Sequence, residues 1–444
     1  MSLPPGPRTP GPVNLARFVH RPLDALLDWH ARYGDVFSVR LTGFGVGVYV
    51  ADPDEIKRLF TGDQSDLLAG QANAILSPIL GPRSVLVLDG AEHLRQRKLL
   101  LPPFHGDHLA AMRGLIADAA AREFAGWTPG RRLVVRDRMR ALTFDVIARV
   151  VFGVGDPARI ERLRHALVRV IDGSSVALLG PLRTDLGPWS PGGRFRARME
   201  AADALLHEEI ALRRAAPDLD ERGDVLSLLL RARDEEGRPM SDGEVRDELM
   251  TMLAAGHETT ATALAFAVEL LWRDPAALER VRERIAGDGG DAILDSVAKE
   301  TLRLRPVIDA AQRTLTAPRT VGGHELPAGI RVYPGIALVQ RRPNLYPEPD
   351  AFRPERFLDG RAPAYGWLPF GGGIRRCIGA ALAQMELVEV LRIAIPALDL
   401  RLVRDAPDPV VLRGITVVPR HGVPVEVTRV RSAAHGRAPA VSAG

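Results

Sequence analysis

The sequence predicts a mainly α-helical fold with minor β structure, an α+β arrangement. Helical periodicity dominates from Glu92 to about residue 285, and short alternating runs towards both ends of the chain predict small sheets. Apolar residues make up 46% of the 444 residues, enough for a large core. Because neither a linker nor a shift in composition divides the chain, we expect one large domain.

The first part of the chain predicts a helix and a hairpin. Residues 1–19 form a proline-rich lead, and the apolar spacing between Leu23 and Arg32 predicts a helix. The runs FSVRL (37–41) and VGVYV (46–50) alternate like two strands, and a turn that contains glycine separates them. We therefore expect a small sheet near the N-terminus.

The central helices are predicted to end where proline and glycine cluster. These breaks lie at Pro102-Pro103, at 128–130 and at 180–193. After Pro306 only short β-like runs such as IRVYP (330–334) stand between prolines and glycines, and a last helix begins just after Cys377. The segment 431–444 is small, polar and aperiodic, so we expect a disordered tail there.

Charge and cysteine content exclude several classes of protein. The formal net charge is only +4, which is too small to favour nucleic-acid binding. No apolar stretch is long enough to cross a bilayer, so we expect no membrane anchor. Cys377 is the only cysteine, and no secretory signal opens the chain, so we expect a soluble protein of the reducing cytoplasm.

The single cysteine stands in an unusual loop. Gly371 to Gly373 precede Cys377 and a long apolar helix follows it, which predicts a helix N-terminus at the thiol. There the helix dipole, Arg375 and Arg376 favour the thiolate, and the glycines let the backbone approach something flat and bulky. A small buried cysteine is the structural alternative; a phosphate loop would need a Lys-Ser/Thr pair after the glycines, and none follows.

A second motif lies within a long helix. Ser241 to Glu244 is typical of a capping box, and helical periodicity continues to Trp272 before Asp274-Pro275 ends it. In its middle, residues 255–260 read Ala-Gly-His-Glu-Thr-Thr, although a glycine costs ~1 kcal/mol in a helix interior. Taken alone, a close helix crossing at Gly256, with threonine hydroxyls bonded to backbone carbonyls, explains this motif as well as a functional role does.

Together the two motifs resemble those of the cytochrome P-450 superfamily of heme-thiolate monooxygenases, in its soluble bacterial form. The match in the cysteine loop rests on five positions: Phe370, Gly373, Arg375, Cys377 and Gly379. The resemblance extends over residues 20–430 and implies a single catalytic domain with the family's triangular, helix-rich fold and small sheets. It also implies heme b, iron protoporphyrin IX, as the cofactor, with Cys377 as the proximal ligand of its iron.

The resemblance assigns roles in catalysis and in stability. Thr259 is expected to hydrogen-bond dioxygen, and Glu258 to help relay the protons that release water. Glu300, Arg303 and Arg356 are expected to form a buried, structural ion network behind the cysteine loop.

The resemblance also assigns the heme contacts. Heme carries two carboxylates, which need cationic partners in a dry pocket. The family's partners correspond to His93, Arg97, Arg313 and Arg375. Further cofactor contacts are expected from Phe370, Gly371 and Ala255.

By the same resemblance, the enzyme activates dioxygen with two externally supplied electrons and hydroxylates or epoxidises a hydrophobic small molecule. Fatty acids, terpenoids, steroids and polyketides are candidate substrates. The expected pocket stretches are mostly apolar, and they include residues 64–88, 168–186 and 307–311. Gln71, Asn73 and Asp309 are available there to orient a polar group.

Electrons are expected from a separate ferredoxin and ferredoxin reductase, because the sequence contains no flavin or iron-sulfur module. Arg95, Lys98 and Arg376 predict a basic patch where an acidic donor docks, and ordinary solubilising charge is the alternative. We expect a monomer.

Three other functions fit the sequence less well. A peroxide-driven peroxygenase on the same fold is disfavoured by the Glu258-Thr259 pair, which the family's peroxide users lack. A non-catalytic heme carrier or gas sensor would have no use for proton-delivery residues. A helical scaffold without heme would leave the glycine loop unexplained.

Overall fold

The structure, a computed structural model, describes residues 3–173, 184–359 and 362–431. Most of these residues are helical. The helices are α1 (Gly11–His20), α2 (Pro22–Tyr33), α3 (Pro53–Thr61), α4 (Ala69–Asn73), α5 (Ser77–Leu80), α6 (Gly90–Leu100), α7 (Gly106–Ala125), α8 (Val135–Phe152), α9 (Pro157–Asp172), α10 (Pro191–Arg214), α11 (Val225–Arg231), α12 (Asp242–Arg273), α13 (Pro275–Ala286), α14 (Gly290–Leu304), α15 (Ile336–Val339) and α16 (Ala380–Ala397). Short 3-10 helices lie at Ala74–Leu76, Pro102–Phe104, Pro354–Phe357 and Gly373–Arg375.

The strands are short and form small sheets. They are β1 (Val36–Leu41), β2 (Gly45–Val50), β3 (Leu67–Leu68), β4 (Arg132–Val134), β5 (Arg313–Leu315), β6 (Arg319–Val321), β7 (His324–Leu326), β8 (Arg331–Pro334), β9 (Leu398–Leu402), β10 (Val410–Arg413), β11 (Thr416–Pro419) and β12 (Pro424–Val430). One sheet has the order β1-β2-β8-β5-β3, with β1 and β2 antiparallel and β2 and β8 parallel. A second sheet has the order β4-β12-β9, and β6-β7 and β10-β11 are antiparallel pairs.

The predicted fold class is confirmed. The helix expected at Leu23–Arg32 is α2, the predicted hairpin is β1 and β2, and the last helix begins at Ala380. Helix α1 is not predicted from the sequence. It begins within the proline-rich stretch 1–19 and ends at His20. The same stretch packs on the sheet, because the Ser38 amide donates to the carbonyl of Pro5 at 2.9 Å.

Two predicted segments lie partly outside the described residues. Of the tail expected at 431–444, only Arg431 is described, and its Nε lies 3.0 Å from Asp399 Oδ2. The break expected at 180–193 ends in α10, which begins at Pro191, and residues 180–183 are outside the described part.

The long helix α12 is the element around which the core is built. Its start is the predicted capping box: the Ser241 hydroxyl accepts from the Glu244 amide, and the Glu244 carboxylate accepts from the Ser241 amide. Most of its length is buried, and it packs against α8, α10, α14 and α16. No helix among residues 3–173, 184–359 and 362–431 is both long and apolar enough to cross a membrane.

Candidate active site

The loop before Cys377 is a tight turn that ends on α16. The Cys377 amide donates to the carbonyl of Phe370 at 2.9 Å, which closes the loop. Gly371 and Gly373 have φ values of 66° and 62°, a left-handed conformation that favours glycine. Cys377 lies just before Gly379, the residue that caps the N-terminus of α16, so the predicted position at a helix start is observed.

The three glycines differ in what they approach. A Cβ atom on Gly372 would lie 2.5 Å from the ring of Phe60, and one on Gly373 would lie 2.2 Å from the Phe60 carbonyl oxygen. Gly371 has nothing within 4 Å of that position. Two of the glycines therefore let the loop pack on α3, and only Gly371 leaves open space beside the backbone for another group.

The charge on the Cys377 thiol is not what the sequence predicts. The side chain is accessible, yet the surrounding fold desolvates it, and this burial raises the pKa of the thiol. The Gly379 amide, Arg376 and Arg97 oppose the shift without reversing it. The protein alone therefore does not favour the thiolate, and a bound metal ion would supply the missing stabilisation. Arg375, which was expected to help, instead contacts Asp89 at 2.5 Å.

The four predicted carboxylate partners converge near the cysteine loop. His93 lies within electrostatic reach of Arg97, Arg313 and Arg375, and together these groups depress its pKa. Arg313 is buried and its Nε has no hydrogen-bond partner within the described chain. Burial, and the charge of Arg375, also lower the pKa of Arg313 to about 10.

The acids near this group are too few to balance it. Asp89 pairs with Arg375, whereas Arg97 and Arg313 form no ion pair with another described residue. Desolvation and the three arginines lower the pKa of His93 to about 3, so the imidazole is neutral at pH 7. A neutral His93 can still donate an N–H hydrogen bond to an anion.

The motif at residues 255–260 combines close packing with an accessible face. A Cβ atom on Gly256 would lie 3.0 Å from Ile147 Cδ1 of α8. Gly256 therefore allows a close crossing of α12 and α8, as the structural explanation of the motif predicts. The Thr259 hydroxyl donates to the Ala255 carbonyl at 2.5 Å, so its oxygen can still accept a hydrogen bond. Ala255 is exposed and Thr259 is half-buried, whereas Gly256 faces α8.

Glu258 points away from Thr259's accessible face and is held by two arginines of α8. Its Oε1 pairs with Arg136, and its Oε2 lies 2.9 Å from Arg140 Nε. Arg140 also contacts Asp172, which is exposed at the end of α9. Neither Arg136 nor Arg140 is predicted from the sequence; their spacing of one helical turn was the only available signal.

Glu300, Arg303 and Arg356 meet in one ion network. Arg303 Nε and Nη2 bind the two oxygens of Glu300 at 2.7 and 2.8 Å, a bidentate pair that is fully buried. Arg356 Nε lies 3.3 Å from Glu300 Oε1. Arg303 also donates to the carbonyls of Gln340 and Pro349, so it ties α14 to the segment that leads to the cysteine loop.

Comparison with known proteins identifies the family. The sequence model of the family described as Cytochrome P450 matches residues 4–421. The chain belongs to the cytochrome P450 family. This P450 is therefore a heme-binding monooxygenase, an oxidoreductase that uses dioxygen, a substrate and redox partners.

Curated relatives and a solved structure agree with this assignment. A Mycobacterium tuberculosis protein named "Putative cytochrome P450 135B1" is 42% identical over 453 residues, which cover 100% of this chain and 95% of that protein. Another from the same organism, "Putative cytochrome P450 137", is 40% identical over 409 residues, with 90% and 83% covered. The solved structure "Retinoic acid bound cyanobacterial CYP120A1" has a TM-score of 0.82 at 25% identity and covers 96% of this chain and 99% of its own.

The residues of this P450 fit a heme. Two heme carboxylates would balance the excess positive charge at Arg97, Arg313 and Arg375, and Arg313 Nε is a buried donor without a partner in the described chain. Cys377 presents an accessible sulfur on the same side of the fold.

Two of the three residues in the predicted basic patch of this P450 are paired with acids. Arg95 is paired with Asp234 and Glu244, each at 2.6 Å. Lys98 Nζ lies 2.6 Å from Glu235. Acids in the segment before α12 and in its first turn thus offset both charges. Arg376 is exposed and forms no ion pair with another described residue.

Two of the three polar groups expected to orient the substrate of this P450 are either bonded to other residues or exposed. Asn73 accepts from Gln312 at 2.8 Å and donates to the Leu86 carbonyl at 3.1 Å, so both ends of its amide are used. Gln71 is exposed. Asp309 is buried, and burial raises its pKa to about 6. Part of the expected pocket stretch 168–186, namely 174–183, lies outside the described residues.

Proposed function

We propose that this P450 hydroxylates or epoxidises a hydrophobic small molecule. The observation that carries the proposal is the apolar character of the expected pocket stretches. Four of their side chains, Leu76, Ile79, Leu80 and Val307, pack in one apolar cluster with α12. A largely apolar site binds a substrate by its shape and leaves few polar groups to fix its orientation.

The proposed roles of the site residues follow from their contacts. Heme, when bound, supplies the activation of dioxygen, and Cys377 is the proposed ligand of its iron. His93, Arg97, Arg313 and Arg375 are proposed to hold its carboxylates, with Phe370, Gly371 and Ala255 beside the ring. Thr259 is proposed to position a proton on the accessible face of α12, and Glu258 to pass protons towards it. The ion pairs of Glu258 with Arg136 and Arg140 fix its carboxylate on the α8 side of α12, one residue along the chain from Thr259.

The proposed substrate is an isoprenoid carboxylic acid. Retinoic acid, the compound bound in the cyanobacterial structure, belongs to this class. Fatty acids, steroids and polyketides are the other classes that an apolar pocket would accept. The proposed electron donors are a separate ferredoxin and its reductase, and a cytoplasmic monomer stays a prediction from the sequence.

Two optical measurements test the proposal. The reduced carbon monoxide complex should show the thiolate-ligated spectrum, and Cys377→Ala should lose it. Titration with retinoic acid, palmitic acid, a steroid and a macrolide should then change the heme absorption, most strongly for retinoic acid. A response to none of these compounds, together with a response to a polar molecule, would contradict a hydrophobic substrate. Equal product yield with hydrogen peroxide in place of ferredoxin would favour the peroxygenase alternative.

A further inference from the structure

The segment Leu80–Asp89, which leads from α5 into α6, is fastened to the first turns of α12. Three contacts of this kind are Arg246 Nη1 to Leu80 O at 3.1 Å, Arg83 N to Asp247 Oδ2 at 2.9 Å, and Thr251 Oγ1 to Ser84 Oγ at 2.7 Å. The contacts follow one another along both elements, so residues 246–251 of α12 hold the segment in place. We call this part of α12 the bracket.

Val85 connects this bracket to the cysteine loop. Its amide donates to Glu248 Oε1 at 2.8 Å, and its carbonyl accepts from Arg375 Nη1 at 3.1 Å. Arg375 also donates to the carbonyl of Leu88 and to Asp89. Val85 therefore binds Glu248 of α12 through its amide and the proposed heme partner Arg375 through its carbonyl.

Glu248 is unusual as an acceptor. Its side chain is completely buried, and its Oε2 has no hydrogen-bond partner within the described chain. Burial, together with the neighbouring Asp247 and Glu244, raises the pKa of Glu248 to about 8, so the carboxyl is neutral at pH 7. A neutral side chain here serves the Val85 amide and no cation.

We propose that Glu248 is a positioning residue for heme: through Val85 it holds Arg375 in place to bind a heme carboxylate. Without this acceptor the buried Val85 amide loses its partner, and the segment that carries two of the carbonyls bound by Arg375 loosens. The inference rests on the proposed role of Arg375. Glu248 would act on heme binding through Val85 and Arg375 and would not need to contact heme itself.

The test is the rate at which the purified holoenzyme loses heme to excess apomyoglobin. Glu248→Leu removes the acceptor and leaves a buried amide unpaired, so the rate should rise by about tenfold, which corresponds to ~1.4 kcal/mol. Glu248→Gln keeps a neutral acceptor of the same shape and should restore the wild-type rate. An unchanged rate in Glu248→Leu, or the same rise in Glu248→Gln, would overturn the proposal.

Glu269 provides the matched control on the same helix. It is also buried, its Oε1 accepts from the Asp408 amide and, at 3.4 Å, from Arg273 Nη2, and its Oε2 is unpaired within the described chain. Glu269→Leu should therefore destabilise the fold to a similar extent in urea but leave the rate of heme loss near wild type. Equal acceleration by both leucine variants would show a general loss of stability and would refute a positioning role.

A double-variant cycle separates the two proposals. Arg375→Gln alone should accelerate heme loss, and adding Glu248→Leu should then add little, because both act on one contact. Additive effects would mean that Glu248 acts elsewhere. No effect of Arg375→Gln would refute the role of Arg375 itself, and with it the role of Glu248.

Thr251→Val is the alternative variant if Glu248→Leu protein is not recovered. It removes the hydrogen bond to Ser84 and should raise the rate of heme loss by about threefold. An unchanged rate would count against the bracket.

Discussion

Glu258 Oε2 lies 2.9 Å from Arg140 Nε, and the same guanidinium contacts Asp172 at 2.6 Å. Asp172 is exposed, whereas Glu258 is buried beside Thr259. Two ion pairs thus connect the centre of α12 with the end of α9. The connection makes Arg140 a determinant of where the Glu258 carboxylate lies.

Replacing Arg140 should destabilise the fold more than replacing a similar surface arginine. Arg140→Gln leaves one oxygen of a buried carboxylate without its cation, so we expect a loss of ~2 kcal/mol in the free energy of unfolding. Arg149→Gln is the control, because Arg149 lies on the same helix and pairs with the half-buried Asp145 at 3.0 Å. It should cost at most ~0.5 kcal/mol. Urea unfolding of both variants measures the difference, and equal losses would contradict it.

Thr259→Ala should separate oxygen consumption from product formation. The variant keeps Cys377 and the proposed heme contacts, so heme content and the carbon monoxide spectrum should stay normal. Product per oxygen consumed should fall by roughly a hundredfold, with hydrogen peroxide released instead, because the hydroxyl that positions the proton is lost. Thr259→Ser retains the hydroxyl and is the control. Unchanged coupling in the alanine variant would refute the role of Thr259.

Glu300→Ala should yield little heme-loaded protein. The change strands the fully buried Arg303 without its bidentate partner, which costs ~3 to 5 kcal/mol. Glu355→Ala removes a partly exposed pair with Arg280 near the same network and should cost under ~1 kcal/mol. The ratio of heme to protein absorbance after purification measures the outcome. Normal heme content in Glu300→Ala would argue against a structural role for the network.

The stability of the fold should depend on pH through Glu386. This buried glutamate of α16 has its pKa raised to about 8 by burial, above the ordinary value of 4.5. Between pH 4.5 and 8 the unfolded chain releases the proton and the folded chain keeps it, so stability falls as pH rises through this window and levels off above it.

Glu386→Gln should remove that dependence. Relative to the wild type, the variant should gain up to ~1.4 kcal/mol for each pH unit between about 5 and 8. Urea unfolding at several pH values measures the gain. Glu389→Gln, on the same helix but paired with Arg113, is the control for the loss of a buried carboxylate. Parallel pH profiles for the wild type and Glu386→Gln would contradict a neutral Glu386.

Arg376 should contribute to reduction by a ferredoxin. Arg376→Ala removes an exposed charge next to Cys377, so the second-order rate of reduction should fall by roughly threefold at low salt. Lys98→Ala is the control, because Lys98 is already paired with Glu235. The difference between the variants should disappear at high salt. Stopped-flow reduction measures it, and salt-independent rates would refute electrostatic docking.

The sequence by itself determined the features that are written into short stretches of the chain. The capping box at Ser241, the turn that places Cys377 before α16 and the i, i+3 pair of Glu300 and Arg303 all depend on near neighbours. Backbone geometry and helical periodicity act over a few residues, so local patterns suffice to predict such features.

Only the tertiary structure decided the protonation of the site residues and which residues pair with one another. Desolvation raises the pKa of Cys377, against the expectation from nearby residues, and lowers that of His93. The acids that neutralise Arg95 and Lys98 lie far along the chain, as does Glu248 from Val85. Burial and pairing are sums over atoms that only folding brings together, and for that reason no local pattern contains them.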